Sequence, residues 1–347
     1  MVRILVLNSG SSSLKTALYE FETAQADQLP PPKPAFKQNI EGSSPELGSL
    51  VSRAGKVDAI GHRIVHGGDR FYSATLVTPQ VRRELAKLAE IAPLHAGSEM
   101  KMIDSAVEAF GEAVPQIAVF DTAFHATLEP EAFTYAGPRE WVDRDRIRRY
   151  GFHGLSHLYS SRMAAKIVGA DRARRILICH LGSGASLCAV KDGKSVDTTM
   201  GYTPLEGLVM ATRSGSVDPG ILIYLMRHKG YRADDLDQIL NHQSGLEGLA
   251  GSADMREIEA RRKSGDPKAA LAFDVFMHRL VREAGAMAAV LGGVDVLVFT
   301  GGVGEHSATV RDELSKRLEF LQIPSTLVIE AEEEWEIARA CSRLLPF

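Results

Sequence analysis

An α/β fold built from two related domains is the fold class that this sequence predicts, and two observations support it. Residues Arg3–Tyr19 form a short apolar run, a Gly/Ser turn and a second apolar run, and Arg175–Val190 repeats this pattern. Predicted strands and helices also alternate along both halves of the chain. A long-range repeat indicates duplicated units, and the alternation favours α/β layers that bind ligands at the carboxyl ends of the strands.

The elements of the first half follow from apolar runs, glycines and prolines. Helical spacing of Val81, Leu85, Leu88 and Ile91 predicts a helix over Gln80–Ile91. The other predictions are paired strands at Val2–Leu7 and Leu14–Phe21, a proline loop at Leu29–Pro34, an apolar run at Val57–Ile60 leading to a glycine turn at Gly67–Gly68, a strand at Gln116–Phe120 that ends at Asp121, and an interdomain crossing within Asp143–Gly154.

The second half repeats the alternation. The long apolar segment Leu271–Leu291 predicts a buried helix. The other predictions are a helix at Leu155–Val168, the echoed strand pair at Arg175–Val190, a hairpin turn at Lys191–Lys194, a strand at Val294–Phe299 feeding a glycine loop at Thr300–His306, a helix at about Ala308–Leu321 and a C-terminal helix within Glu330–Leu345.

Composition excludes several classes of protein. The chain has 347 residues, 45% hydrophobic and 24% charged, which suits two globular domains. A net charge of −4 without a dense Lys/Arg block argues against nucleic acid or a membrane surface as partner. The apolar run Ile4–Leu7 is too short for a signal peptide or a membrane span. The three cysteines lack metal-type spacing, so we expect a cytoplasmic protein without a disulfide framework.

Two glycine-containing turns suit phosphate binding. In Asn8–Lys15, Lys15 could neutralise a phosphate and Asn8 could orient a metal-bound water, although the segment is not a Walker loop. Gly301–Gly304 follows a predicted strand and precedes a helix, where backbone N–H groups can meet a nucleotide. A lone turn of this kind is also typical of an ordinary hairpin. The repeated strand–turn–strand units at Arg3–Tyr19 and Arg175–Val190 favour a nucleotide-using enzyme that clamps a phosphate chain between two related domains.

Histidines and arginines accumulate beside glycines and strand ends. One alternative is a set of structural histidines, and another is a metal cage, but the pair His153 and His157 lacks the glutamate of a zinc-protease motif. Arginines at such turns suit planar recognition of carboxylate or phosphate. The residues in question are His62, Arg63, His66, His95, Asp121, His125, His153, His157, His180 and Arg213.

Nine blocks in chain order resemble the acetate kinase family, within the actin-like, sugar-kinase-like superfamily. They begin with Leu7–Lys15 and end with Phe299–Glu305. Between these lie residues 61–68, 92–95, 120–125, 149–157, 180–184, 197–207 and 212–219. The resemblance implies two ribonuclease-H-like domains around a cleft, residues 1–150 and 151–333, with a C-terminal helix at about 334–347 returning to the first domain.

The resemblance also implies a reaction and its partners. Acetate and ATP would be converted to acetyl phosphate and ADP by direct in-line transfer, with Mg²⁺ as the metal ion and Mn²⁺ as a substitute. A homodimer is expected. The alternatives that we carry are a propionate or butyrate kinase, and a catalytically impaired nucleotide-binding paralogue.

Site residues follow by matching this sequence to the family's motifs. Asp121, His153 and Arg213 would be catalytic, and Asn8 and Glu333 would position the metal ion. Arg63, with Arg213, would hold the carboxylate and the phosphoryl group. The acyl pocket would be Val65, Leu94, Phe152 and Pro204. Nucleotide-binding residues would be Ser11, Ser13, Lys15, His180, Gly182, Ser183, Gly184, Asp254, Met255, Arg256, Gly302, Val303 and Gly304.

Several positions depart from the family pattern. Ser183 stands where asparagine is expected, His95-Ala-Gly97 replaces His-Asn-Pro, and His306 replaces asparagine. We expect Ser183 to weaken ATP binding, and this departure motivates the impaired-paralogue alternative. Val65 favours acetate over propionate, because a smaller residue there would make room for another carbon.

Overall fold

A computed structural model describes residues 1–9, 13–41, 47–88 and 93–345 of the chain. Its residues group into two compact units. Unit 1 comprises Met1–Ala126, Phe152–Tyr159 and Glu332–Phe347, and unit 2 comprises Thr127–Gly151 and Ser160–Ala331. The predicted domain boundary at residue 150 stays a prediction.

Unit 1 contains a six-stranded mixed sheet in the order β3-β2-β1-β4-β6-β5. Its strands are β1 (Val2–Ser9), β2 (Ser13–Phe21), β3 (Phe36–Glu41), β4 (Ala59–Ile64), β5 (Thr75–Leu76) and β6 (Gln116–Phe120). Its helices include α1 (Gly48–Ala54), α2 (Pro79–Lys87), α3 (Pro93–Phe110) and α14 (Glu333–Ser342). β1 pairs antiparallel with β2 and parallel with β4, which in turn is parallel to β6. The carboxyl ends of β1, β4 and β6 therefore share one edge of the sheet.

Unit 2 contains a five-stranded sheet in the order β11-β10-β7-β8-β9. Its strands are β7 (Arg175–Leu181), β8 (Ala185–Lys191), β9 (Lys194–Thr198), β10 (Val296–Thr300) and β11 (Ser325–Val328). Its helices include α4 (Pro130–Phe133), α5 (Arg139–Asp143), α7 (Pro219–Lys229), α8 (Ala233–His242), α9 (Gly245–Ala250), α10 (Met255–Lys263), α11 (Pro267–Leu291), α12 (Gly301–His306) and α13 (Ala308–Arg317). The helix α6 (Gly154–Val168) begins in unit 1 and ends in unit 2.

The two sheets have the same internal order, which confirms the predicted duplication. Reading unit 2 from β9, the order β9-β8-β7-β10-β11 matches β3-β2-β1-β4-β6 strand for strand. The senses also match, since β7 is antiparallel to β8 and parallel to β10, and β10 is parallel to β11. Unit 1 adds β5, antiparallel to β6, at its edge. The echoed segments are thus the first hairpin of each sheet.

The C-terminal helix α14 packs closely on the first sheet. Trp335 is fully buried, with ring centroids 5.3 Å from Tyr19 and 5.1 Å from Phe21. Gly61 on β4 permits the approach, because a Cβ there would lie 2.6 Å from Cys341 Sγ and 2.7 Å from Ile337 Cγ2. The contact of Trp335 with Tyr19 and Phe21 removes apolar surface from water, and this burial holds the end of the chain against the sheet.

Most predicted elements have the predicted type, and the differences have local causes. Gln116–Phe120 is a strand with the predicted bounds, and the predicted helix at Leu271–Leu291 begins four residues earlier, at Pro267, where Asp266 caps it. The glycine loop prediction was wrong in one respect, because Gly301–His306 is itself helical. Residues 89–91 of the predicted helix Gln80–Ile91 lie outside the described residues. Among the described helices, none is long and apolar enough to cross a membrane.

Candidate active site

Arg63 and Asp121 meet at the carboxyl ends of adjacent parallel strands. Ile64 on β4 pairs with Phe120 on β6, and the Asp121 N–H donates to the Ile64 carbonyl at 3.0 Å. Arg63 Nε donates to Asp121 Oδ2 at 3.0 Å, and a terminal guanidinium nitrogen makes a second, short contact with the same oxygen. The shared strand edge brings together two residues 58 positions apart in the chain.

The ion pair is shielded from solvent, and only one of the two Asp121 carboxylate oxygens takes part in it. The side chain of Asp121 is 1% exposed and that of Arg63 is 15% exposed. Burial by itself lowers the pKa of Arg63, but the charges of Asp121, Glu333 and Glu99 and the hydrogen bond to Asp121 together outweigh it and raise this pKa above its usual value. Asp121 Oδ1 is buried and accepts no hydrogen bond from any residue in the described part of the chain. Because an unpartnered buried carboxylate oxygen is costly, this position suits a ligand that supplies a donor or a positive charge.

The turn after β4 is held by three side chains. The Val65 N–H donates to Glu99 Oε1 at 2.8 Å, and the Gly67 N–H donates to Thr122 Oγ1 at 3.0 Å. The Gly68 N–H donates to His66 Nδ1 at 2.8 Å. Strand pairing ends at Ile64, so these backbone donors have no partner strand, and side chains satisfy them instead. The backbone beside Arg63 is therefore fixed.

His153 lies in a strained turn pressed against Asp121. His153 has a φ of 56°, a left-handed value that is uncommon for residues other than glycine. The next N–H, of Gly154, donates to the Asp121 carbonyl at 2.9 Å, and a Cβ on Gly154 would lie 2.0 Å from that oxygen. Phe152 is 1% exposed, and its carbonyl lies 3.0 Å from His125 Nε2. The fold thus places the predicted residues Phe152 and His153 beside Asp121.

Asn8 and Glu333, the two predicted metal-positioning residues, are hydrogen-bonded to each other. Asn8 follows the apolar run of β1, and its Nδ2 donates to Glu333 Oε2 at 3.0 Å and to Glu334 Oε1 at 2.8 Å. Glu334 is 2% exposed, and its other oxygen, Oε2, lies 3.3 Å from Lys37 Nζ. Since the amide nitrogen is held by two carboxylates, the Asn8 side-chain oxygen is oriented away from them.

In unit 2, the predicted phosphate-binding turns come together. β7 and β10 are neighbours with His180 opposite Thr300, so the turns that follow them are adjacent. The Gly182 N–H donates to the Gly184 carbonyl at 2.9 Å, and a Cβ on Gly182 would lie 3.8 Å from the backbone nitrogen of Gly302. Both turns therefore present backbone at the carboxyl edge of the second sheet.

Glu305, which sequence reasoning missed, holds the second of these turns. Its Oε1 accepts from the Gly301 N–H at 2.8 Å and from the Ala331 N–H at 3.0 Å. Gly301 has a φ of 77°, and a Cβ there would lie 2.8 Å from the Leu181 carbonyl, so glycine is required. Val303 and Gly304 follow in the same short helix.

Arg213 and Pro204 are also neighbours. Arg213 donates through a terminal guanidinium nitrogen to the Pro204 carbonyl at 3.2 Å, and the Met210 N–H donates to the Arg213 carbonyl at 3.2 Å. Gly215, with a φ of 68°, closes the turn against the Leu208 carbonyl. The predicted phosphoryl-binding arginine is thus anchored to the loop that carries the predicted acyl-pocket proline.

Tyr135, Arg149 and Glu206, which the sequence analysis did not predict, form a network that orders the segment around Pro204. Arg149 donates to Glu206 Oε1 at 2.8 Å and to the Met200 carbonyl at 2.9 Å. The Tyr135 hydroxyl forms a short contact with Glu206 and accepts from the Tyr202 N–H at 2.9 Å. Burial, reinforced by the hydrogen bond to Glu206, raises the pKa of Tyr135. The network ties residues 198–206 to Arg149.

The predicted adenosine residues Asp254–Arg256 form a helix start. Asp254 caps α10, accepting from the Arg256 N–H at 2.9 Å, and its carboxylate pairs with the Arg256 guanidinium at 2.6 Å. Met255 is 4% exposed and packs into the core. α10 is linked to the segment after α12 through Ser307 Oγ, which donates to Glu259 at 2.5 Å. Adenosine contacts of these three residues stay a prediction.

Some predicted site residues lie outside the described part of the chain, either entirely or in their side chains. Ser11 lies outside the described residues, and so do the side chains of Ser13 and Leu94. Lys15 pairs with Asn8 in the β1–β2 ladder and is exposed. Ser183 is exposed at the tip of the β7–β8 turn, where its carbonyl accepts from the Ala211 N–H at 3.1 Å.

Comparison with known proteins identifies the relatives of the chain. A family model described as the acetokinase family matches residues 34–338. An acetate kinase of Gloeobacter violaceus is 42% identical over 98% of this chain and 98% of its own length. One of Microcystis aeruginosa is 43% identical over 99% of this chain and 100% of its own length.

Solved structures give the same result. A propionate kinase from Francisella tularensis has a TM-score of 0.88 at 35% identity, covering 98% of this chain and 99% of its own. An acetate kinase from Porphyromonas gingivalis has a TM-score of 0.85 at 34% identity over 100% of both chains. These likenesses confirm the predicted fold class, an actin-like α/β fold with two domains.

Proposed function

Because this chain belongs to the acetokinase family, we propose that it transfers the γ-phosphoryl group of ATP to the carboxylate of acetate. The protein is a kinase that uses ATP and a divalent metal ion. One acetate oxygen forms a bond to the γ-phosphorus while the bond from phosphorus to the β,γ-bridging oxygen breaks, giving acetyl phosphate and ADP. Transfer of this kind depends on positioning and charge neutralisation more than on covalent chemistry by the protein.

The observation that carries this proposal is the ion pair of Arg63 and Asp121, in which the Asp121 Oδ1 oxygen is buried and accepts no hydrogen bond from the described residues. A carboxylate substrate entering a buried position needs a fixed cation, and Arg63 is held in its charged form beside a rigid turn. Asp121 Oδ1 is the buried acceptor that remains, so it suits a proton or a positively charged group near the reacting oxygens. Val65 and Phe152, 5% and 1% exposed, supply apolar contacts for the methyl group.

Further residues would bind the phosphate groups of ATP. His153 would donate a hydrogen bond to the transferring group, and Arg213 would neutralise the charge that develops on it. The turns at Gly182–Gly184 and Gly301–Gly304 would bind the phosphate chain through backbone N–H groups. Lys15, Ser11 and Ser13 would add contacts from the first hairpin, and His180 and Ser183 would add contacts from the second.

The residues Asn8 and Glu333 fit a Mg²⁺ ion that keeps most of its water. Their oxygens are hard ligands, and the hydrogen bond between the two side chains fixes them in one place. Within the described residues, no three His, Cys, Asp or Glu side chains form a metal-binding group. A sparse site of this kind suits Mg²⁺, with Mn²⁺ as a substitute, better than zinc. When bound, the ion would neutralise the β- and γ-phosphates.

A homodimer and a cytoplasmic location complete the proposal. The helix α7 carries several exposed apolar side chains, since Ile221, Ile223, Tyr224 and Met226 are each 48–52% exposed. Adjacent exposed apolar side chains are typical of an interaction surface, and a second copy of this chain is the proposed occupant. The three cysteines are buried thiols, which suits a reducing compartment.

A direct assay tests the reaction. The purified protein is incubated with acetate, ATP and Mg²⁺, and hydroxylamine traps acyl phosphate as a hydroxamate while ADP is measured in parallel. We expect equal amounts of hydroxamate and ADP. Release of ADP without hydroxamate would identify an ATPase, and ATP binding without turnover would identify the impaired paralogue.

Propionate is the second candidate substrate, because one of the two solved relatives described above is named a propionate kinase. The same assay with propionate at matched concentration separates the two. We expect a higher kcat/KM for acetate, since Val65 limits the room beside the methyl group.

A further inference from the structure

Glu99 is a buried carboxylate in the site that none of the predicted roles uses. It lies on α3, is 6% exposed, and accepts the Val65 N–H at 2.8 Å. Val65 is the first residue after β4, where the strand ladder has ended, so Glu99 supplies the acceptor that a neighbouring strand would otherwise provide. A neutral glutamine could fill this structural need equally well.

The charge of Glu99 has a different consequence, because Arg63 lies nearby. Arg63 is attracted by three carboxylates of its own unit, Asp121, Glu333 and Glu99, and Asp121 and Glu99 are buried. Every negative charge around a single guanidinium reduces what that guanidinium can offer to an incoming anion. An arginine that binds a carboxylate substrate would therefore bind it more tightly when Glu99 carries a proton.

We propose that Glu99 is a positioning residue whose protonation couples acetate binding to proton uptake. This inference rests on the proposed function, in which Arg63 binds the acetate carboxylate. Neutral Glu99 removes one of the three negative charges around Arg63 and leaves Asp121 and Glu333, so Arg63 attracts the substrate carboxylate more strongly. Ionised Glu99 competes with the substrate for the same cation, while its hydrogen bond to the Val65 N–H holds the turn in both states.

The protonation change falls in the physiological range. Burial raises the pKa of Glu99 to about 7, against the lowering effects of the Val65 N–H and the Arg63 charge, and Asp121 raises it further. Three other charged residues on the helices packed against α3 have separate partners, and Arg83 and Lys87 of α2 are exposed. Arg82 pairs with Asp104, Glu84 pairs with Arg70, and Arg53 on α1 bonds to Gln38. Arg63 and Asp121 are therefore the charged groups that act on Glu99.

The first experiment measures the KM for acetate between pH 6 and pH 8. In the wild type we expect KM to rise about threefold to tenfold with pH, because binding takes up a proton, while kcat changes less. Glu99→Gln keeps the acceptor for Val65 but cannot ionise, so its KM should be low and flat. Glu99→Ala loses the acceptor and should have a raised KM at every pH. Glu108→Gln, an exposed site on the same helix, is the control.

A second readout does not need activity. A folded-state pKa of about 7 exceeds the ordinary value of 4.5, so between these values the folded protein holds a proton that the unfolded chain has released. Stability is therefore lost as pH rises through this window. The melting temperature of Glu99→Gln should exceed that of the wild type by an amount that grows from pH 5 to pH 8.

The outcomes separate the two proposals. A wild type that makes no acetyl phosphate at any pH contradicts the proposed function, while the melting temperatures still report on the ionisation of Glu99. A Glu99→Gln variant that keeps the wild-type pH dependence of both KM and melting temperature overturns the role of Glu99.

Discussion

Arg63 is the counterion of Asp121 and, in the proposed function, the cation that binds the substrate carboxylate. Its guanidinium reaches Asp121 from one side and the Ser9 carbonyl, at 3.4 Å, from another. A side chain fixed by several acceptors loses little further entropy when a ligand binds. Removing it would leave a buried carboxylate without its partner, so the effects on stability and on binding must be measured separately.

Substituting either site arginine should therefore cost activity far more than an exposed arginine does. We expect Arg63→Ala and Arg213→Ala each to lower kcat/KM by at least roughly a hundredfold, since a desolvated charge-assisted contact is worth about 2–5 kcal/mol. Arg83→Ala, exposed on α2, is the control. Near-normal turnover in a folded Arg63 or Arg213 variant would exclude that arginine from the site.

A second prediction for a single residue concerns the proposed role of Val65 in selecting substrate size. Val65→Ala should shift the kcat/KM ratio towards propionate, because the deleted methyl groups leave room for one methylene, which an apolar pocket discriminates by about 1–3 kcal/mol. Val57→Ala, at a position 6% exposed in the core of the same unit, controls for general loosening. An unchanged ratio in Val65→Ala would mean that Val65 does not line the pocket.

At the scale of elements, the strand–turn–strand unit of the second sheet presents backbone where phosphates are proposed to bind. In the second unit, β7 and β8 pair in register from Arg175 opposite Lys191 to Leu181 opposite Ala185. Only residues 182–184 separate the two strands, so Ser183 has little freedom to move. Its carbonyl accepts from the Ala211 N–H, and its side chain is exposed.

A longer side chain at this tip should improve ATP binding. We expect Ser183→Asn to lower the KM for ATP several-fold, since one recovered hydrogen bond is worth about 0.5–1.5 kcal/mol. The same change at the exposed Ser105 of α3 is the control and should have no effect. If the KM of Ser183→Asn stays the same or increases, the turn already binds phosphate fully with serine.

For the whole molecule, duplication and association are the relevant features. The matching strand orders of the two sheets place each set of proposed ligand-binding residues at a carboxyl edge, once in each unit. The proposed association involves a different surface, the exposed apolar side chains of α7 in unit 2. A half-exposed row of Ile221 and Tyr224 at helical spacing is an unfavourable surface for an isolated chain in water.

Charging this surface should therefore dissociate the proposed homodimer. We expect Tyr224→Glu and Ile221→Glu to shift the protein from dimer to monomer in sedimentation velocity experiments. Phe320→Glu, at a position 72% exposed, is a matched control and should remain dimeric. A wild type that sediments as a monomer would contradict the dimer, and a dimer that survives both α7 substitutions would place its interface elsewhere.

By itself the sequence determined the duplicated α/β architecture, most strand and helix types, and which arginine, aspartate and glycine residues lie at strand ends. Those features depend on apolar periodicity and turn residues, which act over short stretches of chain. Only the tertiary structure decided the roles of Glu99, Glu305 and Glu334. Charged residues are usually exposed, so their identity predicts a surface position. Glu99 is 34 positions from Val65 and Glu334 is 326 from Asn8, so folding alone makes them partners.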